Sequence, residues 1–145
     1  SDIVDYLLSK GANVNHSNCY GNGALHEAAT KGSSACLSSL VEAGADVNAV
    51  NHKGSTPLHL LCYGESTSDF PVSLCAILVK AGAIVDTKDH CGVTPYLTSC
   101  GSGRKDIQEF LVRNGADDKA HDYTGMSGSD TAKFHSQDAP ANARK

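Results

Sequence analysis

The chain has 145 residues and a formal net charge of −4, with 12 Lys and Arg against 16 Asp and Glu. This length suits one domain, and the charge balance provides no bulk basic field that would attract nucleic acid or an anionic membrane. No apolar run approaches the roughly 20 residues of a membrane helix, and no segment resembles a signal peptide. We therefore expect neither nucleic-acid binding nor membrane insertion.

The first predicted element is an amphipathic helix, Asp2–Ser9, in which Ile3, Tyr6 and Leu7 recur at helical spacing. Gly11 follows it in the way that glycine commonly ends a helix. No earlier helix in this sequence covers its apolar face. We therefore expect the chain to begin partway through a structural unit and the native protein to carry more such units upstream.

Two short motifs then recur with a common spacing. The hexamer Gly-Ser-Thr-Pro-Leu-His begins at Gly54, and degraded copies begin at Gly21, Gly92 and Gly125, at spacings of 33, 38 and 33 residues. The dipeptide Gly-Ala, at positions 11, 44, 82 and 115, has the same three spacings. Two motifs that share one period and one interruption indicate an internal repeat of about 33 residues.

The hexamer has the features of a helix start. Thr56 can cap the helix, because its hydroxyl accepts a bond from a free N–H of the first turn. Pro57 lies at the first helical position, where its missing N–H costs nothing. Thr94 and Pro95 repeat this pair, whereas Gly23-Ala24 replaces it and predicts a weaker cap.

The repeat divides the chain into units, each with two predicted helices. The units are 1–20 (second helix and loop of a truncated first repeat), 21–53, 54–91 with an inserted loop at 64–70, 92–124, a partial C-terminal capping repeat at 125–137, and a disordered tail at 138–145. The helices are Ala24–Thr30, Ser34–Ala43, Pro57–Tyr63, Val72–Ala81, Pro95–Cys100, Lys105–Arg113 and Ser129–His135. The polar inserted loop is either a tolerated insertion or a binding or phosphorylation loop.

Apolar residues on the inner helix faces form the predicted core. They are Leu25, Ala28, Ala29, Cys36, Leu37, Leu40 and Val41 in the second unit, Ile107, Phe110, Leu111 and Val112 in the fourth, and Met126, Ala132 and Phe134 in the cap. Such an array needs no single large core, because each unit buries its apolar face on its neighbours.

The period, with Thr56-Pro57-Leu58-His59 and Gly44-Ala45-Asp46-Val47-Asn48-Ala49, resembles the ankyrin repeat over about residues 1–135. The resemblance implies an all-α solenoid of stacked helix-turn-helix units with hairpin-like loops. It also implies that His26 and His59, at the last position of the hexamer, bond to Thr and neighbouring backbone and so tie repeats together. His26 lacks the Thr partner, which leaves its bonding open.

The resemblance further implies protein–protein recognition, as an adaptor, scaffold or targeting module, through the loop tips and the exposed side of the first helices. The corresponding residues are Cys19, Tyr20, Asn22, Thr30, Lys31, Val50, His52, Lys53, Ser55, Tyr63, Lys88, His90, Cys91 and Val93. This set contains no Asp or Glu, so we expect a partner segment that is acidic or forms hydrogen bonds. Two alternatives stay open: a solvated surface without a partner, and a regulatory or substrate-recruiting domain of a larger enzyme.

Asn48 is a candidate modification site. Leu40, Asp46-Val47 and Asn48 match the pattern on ankyrin repeats that resembles substrates of a 2-oxoglutarate-dependent asparaginyl hydroxylase. The alternative is structural, since Asn or Asp at this turn (Asn15, Asn48 and Asp86) bonds to local backbone and shapes the loop.

No catalytic motif is present: the sequence has no Cys-x-x-Cys, His-Glu-x-x-His, phosphate loop or Gly-x-Ser-x-Gly. We therefore expect no enzyme activity and no cofactor. A zinc site would require Cys19, His52, His90 and Cys91 to converge from separate loops to about 2 Å from one ion. We expect no metal there.

Six cysteines are interpreted as free thiols. Cys36 and Cys75 fall in second helices, and Cys62 and Cys100 occupy the small-residue position held by Ala29 in the preceding unit. Cys19 and Cys91 lie in loops two repeats apart. Free thiols indicate a reducing compartment, the cytosol or the nucleus.

Overall fold

The computed structural model describes residues 2–63 and 72–133, in which seven named helices are followed by helical residues 128–133. The helices are α1 (Asp2–Ser9), α2 (Ala24–Lys31), α3 (Ser34–Glu42), α4 (Pro57–Tyr63), α5 (Val72–Lys80), α6 (Pro95–Gly101) and α7 (Lys105–Arg113). The predicted inserted loop at 64–70 and the predicted tail at 138–145 lie outside the described residues.

The helices pack in two layers along the array. In one layer α4 packs between α2 and α6, and in the other α1, α3, α5 and α7 follow in order, each in contact with the next. The pairs α2–α3, α4–α5 and α6–α7 join the two layers. The predicted all-α solenoid of stacked helix pairs is confirmed. Within residues 2–63 and within residues 72–133, the loops form only isolated bridges, Ser17 with Gly23 and His121 with Ser127.

The helix bounds agree with the sequence-based ones to within one residue at each end. Helices α2 and α6 are one residue longer than predicted, and α3 and α5 are one residue shorter. Ala43 shows why α3 differs: it is the C-cap, with a non-helical backbone, while its N–H still bonds to the Ser39 carbonyl. Helical residues 128–133 begin one residue before the predicted Ser129, and His135 lies outside the described residues.

One buried cluster runs through the stack from α2 to α7. It contains Leu25, Ala28, Ala29, Leu37, Leu40, Leu58, Leu61, Cys62, Leu74, Cys75, Leu78, Ile107 and Leu111. Three predicted core residues lie at its margin, because Cys36, Val41 and Phe110 are only half-buried against it. Val112 is exposed and does not belong to the core, which corrects the prediction for α7.

The helix starts differ between units in the way that the hexamers differ. The Thr94 hydroxyl accepts the Leu97 N–H at 3.3 Å, and the Thr56 hydroxyl accepts the His59 N–H at 3.4 Å. Gly23 offers no side-chain cap to α2. Pro57 and Pro95 are buried, whereas the equivalent Ala24 is exposed.

A cleft of about 330 Å³ lies beside Gly23 and Ala24. Its lining includes Val14, Ser17 and Val50, from two successive loops. A threonine side chain and a proline ring occupy the equivalent positions of the next unit. We expect a threonine side chain and a proline ring at the start of α2 to occupy part of this open space.

Restoring the Thr-Pro pair should stabilise the protein. Gly23 has φ −83° and ψ 175°, an extended conformation that suits threonine and a residue before proline. A cap and a preset φ together favour the folded state by about 1 kcal/mol, so Gly23→Thr with Ala24→Pro should raise the free energy of unfolding by that amount. Urea unfolding measures the change. The reverse exchange, Thr56→Gly with Pro57→Ala, should lower it, and equal stability of all three proteins would contradict this account.

The last helical residues rest on α6 through a glycine. A Cβ on Gly128 would lie 2.7 Å from the Cys100 sulfur and 3.2 Å from the Tyr96 ring, so the backbone itself makes the contact. Met126 is half-buried, as predicted for the cap, but Ala132 is exposed and Phe134 lies outside the described residues. The close approach of Gly128, rather than Ala132, positions this segment.

Candidate functional site

The loop tips are built on four equivalent side chains, Asn18, Asn51, Asp89 and Asp122. In each loop one side-chain oxygen accepts backbone N–H groups from the residues two and four positions later, at 2.8 to 3.0 Å. These bonds fix the loop conformation without any regular strand. These residues were not predicted from the sequence, although their spacings of 33, 38 and 33 residues match those of the hexamer.

Backbone hydrogen bonds connect each loop tip to the next. His52 N–H donates to the Tyr20 carbonyl, His90 N–H to the Lys53 carbonyl, and Tyr123 N–H to the Cys91 carbonyl, each at 3.0 Å. The loop tips therefore form a continuous row of fixed geometry. We call this row, with the exposed side chains that it carries, the loop-tip surface; its side chains are Cys19, Tyr20, His52, Lys53, Lys88, His90, Cys91 and Tyr123.

Most of the predicted binding residues are exposed. Tyr20 and Tyr63 are 70% and 73% exposed, which is high for residues of this size. The other exposed members are Cys19, Thr30, Lys31, Val50, His52, Lys53, Lys88, His90 and Cys91. Tyr123 is 70% exposed and lies in the same row, but the predicted set omits it. The Lys88 ammonium lies 5.7 Å from the centre of its ring, within cation–π range.

Ser55 is a poor candidate for a partner contact. It is only 9% exposed, its N–H donates to Asn51, and its carbonyl lies 3.0 Å from His26 Nε2. Asn22 and Val93 are half-buried. Ser55 therefore serves the junction between units, because its polar backbone groups are already engaged inside the protein.

A carboxylate also lies beside the predicted set. Glu27 accepts hydrogen bonds from the side-chain amides of Asn18 and Asn22, both at 3.2 Å. Asn22 in turn accepts one from Asn51 at 2.9 Å. The surface near Tyr20 therefore carries a negative charge, which the predicted residues alone do not provide. Two side-chain amides hold the Glu27 carboxylate in place.

Two buried histidines join successive units. His59 Nδ1 accepts the Thr56 N–H at 3.1 Å and lies 2.9 Å from the Thr56 hydroxyl, while its Nε2 lies 2.9 Å from the Val93 carbonyl. An Nδ1 that accepts requires Nε2 to carry the proton, so Nε2 donates to Val93. This bond spans 34 residues of sequence. It links the start of α4 to the start of the next unit.

His26 makes the same link without threonine. Its Nδ1 accepts the Gly23 N–H at 3.1 Å, and its Nε2 reaches the Ser55 carbonyl at 3.0 Å. Burial lowers the pKa of both histidines below the usual 6.5, because the charged ring is poorly solvated there. Both rings are therefore neutral near pH 7, as their bonding pattern requires.

Asn48 bridges two units through both ends of its amide. Its Nδ2 donates to the Gly82 carbonyl at 3.1 Å, and its Oδ1 accepts the Ile84 N–H at 2.8 Å. Asn15 and Asp86 occupy the equivalent positions and accept the N–H groups of Asp46 and Asp117 at 2.9 and 3.0 Å. The structural role predicted for these residues extends beyond the local turn, since all three reach the following unit.

The described residues contain no group of three or more His, Cys, Asp or Glu side chains able to hold a metal ion. The loop-tip cysteines and histidines considered as zinc ligands, Cys19, His52, His90 and Cys91, therefore do not form such a group. Within residues 2–63 and 72–133, no helix combines the length and apolar character that crossing a bilayer requires. The exposed groups on the loop tips suit docking by hydrogen bonds, charge and aromatic contact.

Comparison with known proteins gives the same architecture. A family model described as ankyrin repeats (3 copies) matches residues 1–51. The chain is 37% identical to the ankyrin repeat protein FPV234 of Fowlpox virus (strain NVSL) over 62 residues, which are 41% of this chain and 14% of that protein.

Two further relatives match over segments of similar length. NF-kappa-B inhibitor delta of Mus musculus is 37% identical over 75 residues, 50% of this chain and 23% of that protein. The E3 ubiquitin-protein ligase KEG of Arabidopsis thaliana is 32% identical over 59 residues, 41% of this chain and 4% of that protein. The matches thus span less than a quarter of each of these three relatives. The family match over residues 1–51, the repeat period and the stacked helix pairs together identify ankyrin repeats in this chain.

Proposed function

We propose that the chain binds a partner protein through the loop-tip surface and the adjoining exposed side of α2 and α4. Ankyrin repeats are protein–protein interaction modules, and the proposal assigns this role to particular side chains. The observation that carries it is the row of exposed Tyr, His and Lys side chains on loops fixed by internal hydrogen bonds. Rigid exposed aromatics bind at low entropic cost and are common at interface hot spots.

The partner segment is proposed to be acidic or rich in hydrogen-bond acceptors. Lys53 and Lys88 are exposed along the row, with His52 and His90 beside them. Glu27 is held by Asn18 and Asn22, which reduces its effect on an approaching carboxylate. The name of the mouse relative states that it inhibits NF-kappa-B, which supports a protein as the partner of this chain too. An adaptor or scaffold role inside the cell is part of this proposal, and the free cysteines support a reducing compartment, the cytosol or the nucleus.

The repeat boundaries of this module are proposed at 21–53, 54–91 and 92–124, with a truncated unit before them and a partial cap at 125–137. The support is the position of the loop-tip residues, which fall at the same place in each of these units. Each boundary lies next to a glycine with positive φ, at Gly21, Gly54, Gly92 and Gly125.

Replacing Tyr20, His52, Lys53 and Tyr63 together by alanine should abolish partner binding. All four are exposed, so the free energy of unfolding should change by no more than about 0.5 kcal/mol per site. Quantitative affinity purification with the wild-type chain first identifies partners, and titration calorimetry of one purified partner then measures the loss.

A control variant changes exposed residues on the second helices, Glu42, Lys80, Glu109 and Arg113, to alanine. It should bind as the wild type does. Undiminished binding by the first variant, or equal loss in both, would place the interface elsewhere on the protein.

A second candidate function is recruitment within a larger enzyme. It is favoured by one observation, the likeness to a ubiquitin-protein ligase of which the match covers 4%. In this case the chain would hold a substrate or regulator near a catalytic domain outside this sequence. Deleting the array from the full-length protein would then reduce modification of the bound protein but leave general catalytic activity intact.

We also propose that Asn48 is a site of hydroxylation. The support is the sequence pattern around Asn48 and the half-buried position of this residue at the junction with the next unit. The expected result is a mass increase of one oxygen atom on the Asn48 peptide of protein purified from cells. Peptides carrying Asn15 serve as the control and should show none. An unmodified Asn48 peptide in cells that hydroxylate other ankyrin repeats would refute the proposal.

A further inference from the structure

Two Asn-Gly pairs occur in the sequence, Asn22-Gly23 and Asn114-Gly115, and an alanine follows each of them. In such a pair the glycine nitrogen can attack the asparagine side-chain amide, because glycine has no Cβ to obstruct the approach. The attack closes a succinimide ring and releases ammonia. Both pairs belong to the same tripeptide, so a difference in their reactivity must come from the structure around them.

The attacking nitrogen of Asn22-Gly23 has a base beside it. The Gly23 N–H donates to His26 Nδ1 at 3.1 Å, and His26 Nε2 donates to the Ser55 carbonyl at 3.0 Å. Burial lowers the pKa of His26, so the ring is neutral near pH 7 and its Nδ1 can take up a proton. The Ser55 carbonyl then stabilises the positive charge that the ring gains. His26 is thus placed as a general base for the Gly23 nitrogen.

The Asn22 side chain, which is the group attacked, is held at both ends of its amide. Asn51 Nδ2 donates to Asn22 Oδ1 at 2.9 Å, which stabilises the negative charge that this oxygen gains as the ring closes. Asn22 Nδ2 donates to Glu27 Oε1 at 3.2 Å, which orients the nitrogen that must leave. The amide is therefore both polarised and oriented by its neighbours.

Solvent can reach these groups from the cleft beside the start of α2. Gly23 and His26 both line this cleft of about 330 Å³. Asn22 and Gly23 are themselves only half-buried. The cleft therefore offers space for the leaving ammonia and for the water that opens the ring.

We propose that Asn22-Gly23 is a self-modifying site, at which Asn22 is converted to aspartate or isoaspartate with His26 as the base. The Gly23 nitrogen attacks Asn22 Cγ and gives its proton to His26. The bond between Cγ and the amide nitrogen breaks, and that nitrogen leaves as ammonia with the proton that His26 returns. Water then adds to either carbonyl of the succinimide and opens the ring. One amide and one water thus give one carboxylic acid and one ammonia.

The site is particular to this unit of the array. The equivalent pairs of the following units contain no side-chain amide; they are Ser55-Thr56, Val93-Thr94 and Met126-Ser127. At the second Asn-Gly pair, the Gly115 N–H donates at 3.0 Å to the Val112 carbonyl, which is not a base at neutral pH. We therefore expect selectivity for Asn22 over Asn114.

The reaction would change the charge beside the loop-tip surface. A carboxylate at position 22 cannot donate to Glu27 as the amide does, and it places a second negative charge next to that side chain. If the surface binds an acidic segment, as proposed above, the modification should weaken that binding. This consequence rests on the proposed function, whereas the reaction itself does not.

The test follows both Asn-Gly pairs in the full chain at pH 7.5, once in buffer and once in urea that unfolds the protein. Trypsin releases the pairs in separate peptides, 11–31 and 114–119. Mass spectrometry measures the replacement of NH₂ by OH in each peptide, and fragmentation assigns the change in peptide 11–31 to Asn22. We expect Asn22 to react about tenfold faster in buffer than in urea, because the base acts only in the folded chain. Asn114 should react no faster in buffer.

Two variants assign the effect to the groups named. Asn22→Ser copies the residue of the next unit and should abolish the mass change at position 22. His26→Gln keeps an acceptor for the Gly23 N–H but removes the base. Where circular dichroism shows it folded, its Asn22 should react in buffer no faster than in urea.

The proposal is overturned if Asn22 of the wild-type chain reacts no faster in buffer than in urea, or if Asn114 shows the same acceleration. Both of these comparisons use the wild-type chain, so they decide the question even if His26→Gln fails to fold. A folded His26→Gln protein that reacts at the wild-type rate would overturn the role of His26 as the base.

Discussion

Replacement of His59 by alanine is expected to lower the free energy of unfolding by about 3 kcal/mol, because it leaves buried polar groups without partners and opens a cavity. The ring accepts the Thr56 N–H and donates to the Val93 carbonyl, so its loss affects two units at once. Urea unfolding at pH 7.5 measures the difference.

The matched control is His16→Ala. His16 is exposed, and the same substitution there should change stability by less than about 0.5 kcal/mol. If the two variants were equally stable, the histidine bridge would contribute nothing to the junction between units. His26→Ala should be destabilising as well, since it also loses a bond across 29 residues.

Replacement of Gly54 by alanine is expected to cost about 3 kcal/mol, from a left-handed backbone and a steric conflict with the next loop. Gly54 has φ +77°, and an added Cβ would lie 2.9 Å from the His90 backbone nitrogen. That nitrogen donates to the Lys53 carbonyl, so the loop bond must move to make room. Thermal or urea unfolding of the variant gives the magnitude.

Gly44→Ala separates the two contributions. Gly44 also has a positive φ, +86°, but an added Cβ would meet nothing within 4 Å. The Gly44→Ala variant should therefore lose only the backbone contribution, about 1 to 2 kcal/mol of the free energy of unfolding. If the Gly54 variant were as stable as the Gly44 variant, the His90 loop would move away from the added Cβ at no measurable cost in free energy.

The fold was predictable because the residues that begin each helix are close together in the sequence and recur in each repeat. Thr56-Pro57 and Thr94-Pro95 indicate where α4 and α6 begin, and the glycines after the second helices indicate where those helices end. Local rules therefore placed the helix bounds to within one residue. The core prediction was weaker at Cys36 and Val112, because periodicity gives the inner face of a helix but not how far its neighbour covers it.

The candidate site was less predictable, since its geometry depends on contacts between units. The position of Ser55 in the repeat suggested exposure, yet the His26 ring from the preceding unit reaches its carbonyl. Glu27 was missed because its amide partners lie on the preceding loop. The Asn and Asp residues at the loop tips could have been found from their spacing alone, but their two bonds each required the structure.

The loop-tip bonds contribute, together with the histidine and Asn48 bridges and the helix packing, to how the array would carry a mechanical load. His52 to Tyr20, His90 to Lys53 and Tyr123 to Cys91 are each 3.0 Å long and connect the units in series, one backbone bond per boundary. Tension applied along the stack passes through every boundary in turn, and no bond in this series bypasses one. The array should therefore extend elastically at first and then rupture one unit at a time, beginning with the pair whose junction is weakest.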